Sequence, residues 1–117
     1  MGVADVLKLI VALITIGFGA YAAVFPKMAA KFVGLSASND NMRGVAEVRS
    51  ILGGAFIGVG VAAILFPLQG YRVLGISYLA IALTRTLSIA QFEKDKSPSN
   101  VISVVSEYLF AAILILL

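Results

Sequence analysis

Four apolar runs, each about as long as a helix that crosses a bilayer, leave this chain few folds to choose from. They are VADVLKLIVALITIGFGAYAAVF (3–25), GVAEVRSILGGAFIGVGVAAILF (44–66), YRVLGISYLAIALTRTLSIAQF (71–92) and NVISVVSEYLFAAILILL (100–117). None alternates polar with apolar residues as a strand with one wet face would, and in hydrocarbon only helices and closed barrels satisfy their own backbone groups. The runs therefore predict an all-α, polytopic membrane four-helix bundle in a single domain, 1–117. Composition agrees: only 13% of the residues are charged and the mean hydropathy is +1.04, whereas soluble domains are about 25% charged. Membrane lipid is the expected solvent.

The breaks between runs are chemically distinct. Pro26 and Pro67 close the first and second runs, since proline has no N–H to continue a helix and disfavours helical geometry in the residue before it. PLQG (67–70) reads as a tight turn and EKDKSPSN (93–100) as a polar loop. In KMAAKFVGL (27–35), Lys27 and Lys31 lie four apart with Met28, Phe32 and Val33 on another side, the pattern of a short interfacial helix; an irregular loop is the plainer alternative. SASNDN (36–41) carries turn and helix-capping chemistry. The first run also has the small-residue pattern Ala20-Tyr21-Ala22 of a signal-peptide cleavage site, but Asp5 cancels Lys8 and removes the positive n-region, so a retained helix is expected.

Several function classes drop out. Without Cys or His the chain has no disulfide, thiolate nucleophile, Cys/His zinc site or His-ligated haem. No metal and no cofactor is predicted; a pigment or lipid ligand stays open. The net charge of +3 is scattered at helix ends and forms no nucleic-acid stripe, so anionic headgroups are the expected electrostatic partner. Lys27, Lys31, Arg43, Lys94 and Lys96 fall on one surface and Lys8 and Arg72 on the other. The positive-inside rule then places both termini on the non-cytoplasmic side of a bacterial inner membrane or an organellar membrane.

Four charges sit inside the runs: Glu47, Arg49, Arg85 and Glu107. Arg85 precedes the 93–100 loop and Glu107 follows it by about seven residues each, so both lie roughly 10 Å below the same surface. Glu47 and Arg49 enter from that surface after Arg43. Unpaired, a charge near the middle of a membrane helix costs about 2.5–3.5 kcal/mol; pairing is the expected remedy. Glu107 is expected to bridge to Arg85, and Glu47 to turn inward towards Arg85 as well, while Arg49 either joins them or snorkels. The cluster is a ligand site or a structural network.

Helical phase places Glu47, Ser50, Gly54, Gly58 and Val61 on one face and Arg49, Gly53, Phe56 and Gly60 on a neighbouring one. Gly54-x-x-x-Gly58, extended by Ser50 and Ala62, is expected to be the helix-packing face, against the first span's Gly17 and Tyr21 with Ala20 and Ala23, or against a second copy.

The runs PKMAAKFVGL, AEVRSILGGAFIGVGVAAIL, ALTRTLSIAQFEKDKSPS and SEYLFAAILIL together resemble the domain-of-unknown-function family 4345, small four-helix proteins. Glu47-x-Arg49 followed by Gly53-Gly54, Gly58-x-Gly60, Arg85 with Ser88, and Glu107 carry the likeness. Where that family has Asp-Gly before the last loop's proline, this chain has EKDKSPS. The resemblance implies a four-helix membrane bundle and no established activity.

Three functions follow in order of preference: an accessory or structural subunit of a larger membrane assembly, or a homo-oligomer; a carrier of a small anionic or lipophilic ligand at the charge cluster; and an enzyme using Glu47 or Glu107 as acid/base. The enzyme ranks last, because carboxylates locked to arginine are not free to exchange protons.

Overall fold

A computed structural model describes residues 2–36 and 42–117. Over these residues the chain forms five helices and no strand: α1 (Val3–Val24), α2 (Pro26–Phe32), α3 (Met42–Leu65), α4 (Pro67–Gln91) and α5 (Pro98–Leu116). The four long helices have 22, 24, 25 and 19 residues, or about 28–37 Å at 1.5 Å per residue, against a hydrocarbon thickness of about 30 Å. All four are apolar enough to cross a membrane. Their outward faces carry Leu13, Ile14, Ile51, Ile76, Leu83 and Leu109, all exposed, a surface suited to lipid rather than water.

Each helix end has a local cause. The Gly2 N–H donates to the Asp5 carboxylate at 3.2 Å, and the negative charge suits the first turn of α1. The two Phe-Pro steps take nearly the same shape, Phe25 at φ −125°, ψ 66° and Phe66 at φ −124°, ψ 69°. In each, the proline ends one helix and starts the next at a position where its missing N–H costs nothing. Consequently PLQG is not a tight turn: it is the first turn of α4, and Phe66 alone separates α3 from α4. Gly34 at φ 84° ends α2 in a conformation that favours glycine. The loop before α5 is 92–97, shorter than the polar stretch suggests; Asp95 accepts hydrogen bonds from the Ser97 N–H and hydroxyl. Of the capping segment SASNDN, residues 37–41 lie outside the described residues.

Over Val48–Ala55, α3 is π-helical. An i→i+5 turn holds more residues than an α turn, so side chains before and after it lose the 3.6-residue phase relation. The segment also packs unlike the rest of α3. It lies against α1 and α2, and among the described residues neither it nor Met42–Glu47 comes close to α4, whereas Phe56–Leu65 packs on both α1 and α4. Two hairpins, α1 with α3 and α4 with α5, therefore meet at the end holding Val11, Ala12, Ala63, Leu74, Ala111 and Leu114. They diverge towards the end holding α2 and the 92–97 loop. Midway, the Thr15 hydroxyl donates to the Val11 carbonyl and so accepts from Tyr78, a buried bond between the hairpins.

Glycine contacts reassign the packing face. Cβ atoms added at Gly54 or Gly58 would meet nothing within 4 Å, and Ser50, Gly54 and Gly58 are exposed. The close approach is made by the neighbouring face: at Gly53 a Cβ would stand 2.9 Å from Ala23 N, and at Gly60 2.5 Å from Ile16 Cγ1. Gly19 of α1 completes the seam against the Gly53 carbonyl and Ile57. Of the expected packing residues, Ala62 of α3 does abut a neighbour, its carbonyl facing Gly70 of α4, and Ala23 of α1 meets Gly53 rather than Gly54.

Candidate functional site

Arg85 and Glu107 face each other across the α4–α5 hairpin as expected. Arg85 Nε and Nη2 donate to Oε1 and Oε2 of Glu107 at 2.7 and 3.0 Å, a two-pronged pairing that fixes both side chains. The third guanidinium nitrogen, Nη1, donates to Asn100 Oδ1 at 2.9 Å, and the Asn100 amide donates in turn to the Asp95 carbonyl at 2.7 Å. The network thus runs from α4 through α5 into the loop that joins them. At the next residue of each helix, the Thr86 hydroxyl donates to the Ala82 carbonyl, so the 2.7 Å contact with Tyr108 has the phenol as donor. Arg85–Glu107 and Thr86–Tyr108 are both 22 residues apart in the chain and clamp the hairpin in one register.

Glu47 and Arg49 do not join this group. Glu47 is exposed and pairs with Arg43 one turn earlier, Nε to Oε1 at 2.8 Å, a surface pair of small energetic consequence. It cannot reach Arg85 because its part of α3 stands away from α4, and because the π-helical stretch beginning at Val48 breaks the phase that aligned Glu47 with Gly54. Arg49 donates through Nη1 to the Ala23 carbonyl near the end of α1. No basic residue lies in the last turn of α1; Arg49 brings from α3 the positive charge that a helix C-terminus favours. Arg49→Ala is expected to cost about 1 kcal/mol and, in hydrogen-exchange mass spectrometry, to speed exchange of the Phe25 amide, which closes the last turn of α1 on the Tyr21 carbonyl, about fivefold.

The single expected cluster is therefore two separate arrangements at one end of the molecule: Arg85, Glu107 and Asn100 in one hairpin, Arg49 on the Ala23 carbonyl in the other. Asn100 went unnoticed in the sequence although it lies seven residues before Glu107, a spacing that puts both on one helix face. Two further hydroxyls bond within their helix and a third does not. Ser77 and Thr84 donate to the carbonyls of Val73 and Ala80 at 2.9 and 2.8 Å, while Ser88 donates to Glu93 at 2.8 Å.

Comparison with known protein families, curated proteins and solved structures finds no match to this chain.

Proposed function

We propose that this is a polytopic four-helix membrane protein of the family-4345 kind that serves as an accessory or structural subunit of a larger membrane assembly. The observation that carries the reading is how the ionisable groups within the spans are used. Arg85 and Glu107 are bound to each other, and Arg49 is spent on the end of α1. The charges hold helices together, a use to which buried networks are suited, and the surface offered to the surroundings is apolar. The exposed Ser50-Gly54-Gly58 stripe supports the same reading, because small residues let a helix of another subunit approach closely where lipid supplies no hydrophobic drive. The basic residues Lys27, Lys31, Arg43, Lys94 and Lys96 gather at the α2 and 92–97 end, which supports placing that end on the cytoplasmic side and both termini opposite.

Native mass spectrometry of the protein extracted from its own membrane in mild detergent tests this. Other polypeptides are expected to accompany the chain and to be lost in Gly58→Leu, with the isolated fold intact because, among the described residues, nothing lies within 4 Å of a Cβ at that position. A chain that emerges alone, or only with copies of itself, would overturn the accessory role.

A further inference from the structure

The stripe of α4 formed by Ala80, Ile81, Thr84, Arg85 and Ser88 lines an open groove of about 430 Å³. Through Ile81 it adjoins a small apolar hollow floored by Thr15 of α1, Phe56 and Val59 of α3, and Tyr78. The groove thus lies on the side of α4 where the two hairpins part, and because its lining comes from α4 alone it is a shallow, open face rather than an enclosed pocket. It is too small for a whole two-chain phospholipid and roomy enough for a single chain or ring.

Donor accounting narrows the occupant. Thr84 and Ser88 have given their hydroxyl hydrogens to Ala80 and Glu93, so towards a ligand they only accept. A guanidinium has five N–H groups, and Arg85 commits three of them, two to Glu107 and one to Asn100. Among the side chains that line the groove, Arg85 is the one that keeps uncommitted N–H groups, two of them. Arg85 lies six residues inside Gln91, about 9 Å along the helix, where a free donor in hydrocarbon is costly. The charge of Arg85 is already balanced by Glu107, so an anion gains no net attraction there and meets the carboxylate as well. The complement is a neutral acceptor on an apolar body.

We propose that this groove binds a neutral, membrane-soluble molecule with a carbonyl head. The carbonyl oxygen accepts from the two spare Arg85 N–H groups, and the apolar body follows Ile81 towards Phe56 and Val59. This goes beyond the subunit role and holds whether or not that role does.

The test uses the full chain in phosphatidylcholine nanodiscs, with methyl palmitate carrying a mid-chain diazirine as photoprobe and unlabelled methyl palmitate as competitor. Saturable, competed labelling of the groove stripe is expected. It should fall about tenfold in Ala80→Phe and in Thr84→Phe, which fill the groove and leave Arg85 and Glu107 themselves unsubstituted; an unchanged melting temperature in either variant certifies the fold. Labelling that does not saturate, or that both variants leave unchanged, would reduce the groove to ordinary lipid contact and overturn the proposal. Tighter binding of ionised palmitate than of its methyl ester would overturn the neutral-head assignment.

Discussion

Arg85→Ala is expected to destabilise the detergent-solubilised protein by about 3 kcal/mol, the low end of the range for removing one partner of a buried ion pair. The low end applies because the Arg85 side chain keeps 33% of its exposure, whereas Glu107 keeps only 13%. The cost comes mostly from what is left behind: a carboxylate in the α4–α5 seam without its two donors, and an Asn100 oxygen without its own. That is several times the ~0.6 kcal/mol average of polar pairs between membrane helices, since here a charge and not merely a dipole is abandoned. Arg85→Lys should fall between wild type and alanine. An ammonium is a point charge and cannot meet both Glu107 oxygens and Asn100 with the planar fork of a guanidinium. Removing both charges in Arg85→Leu/Glu107→Leu should recover much of the loss, because no unpaired ion remains. Thermal unfolding followed by circular dichroism reads all of these.

The second large effect separates glycines that are adjacent in sequence. Gly53→Ala is expected to cost about 1–3 kcal/mol as an overpacked contact, because its Cβ would stand 2.9 Å from the backbone nitrogen of Ala23. Backbone cannot rotate out of the way as a flexible side-chain end can; α1 and α3 must separate. Gly54→Ala, with nothing within 4 Å, should instead be neutral or stabilising by up to about 1 kcal/mol through helix propensity alone. Melting temperatures of the two variants moving in opposite directions would establish which glycine face is inside. Equal losses would return Gly54 to the internal seam.

The all-helical architecture, with four helices long and apolar enough to cross a membrane, was legible in the sequence because run length and proline placement are local properties. The Arg85–Glu107 pair was legible for a related reason: one short hairpin fixes both depths, so counting residues from the loop suffices. Reading failed where phase mattered. Gly53/Gly60 and Gly54/Gly58 both keep helical spacing in a glycine-rich run, and nothing in their chemistry says which pair a neighbour will cover. The π-helical stretch at Val48–Ala55 leaves no clear mark in VRSILGGA and rotates Glu47 relative to everything that follows, so the inward Glu47 was an extrapolation of a regular helix through an irregular one. The role of Arg49 depended on where α1 ends in space, which pairs residues 26 apart and has no sequence periodicity. PLQG was misread as a turn because proline serves equally as a stop and as a first helical residue.

A double-mutant cycle between Arg85 and Glu107, with leucine at each position and unfolding free energies measured in one detergent, tests most directly whether the charges within the spans serve to hold helices together. A coupling of about 3 kcal/mol or more, at or above the top of the 0.5–3 kcal/mol range for residues in direct contact, is expected, because the double variant should recover much of what each single variant loses. Additive losses, or two single variants as stable as wild type, would contradict the clasp and with it the structural role of the network.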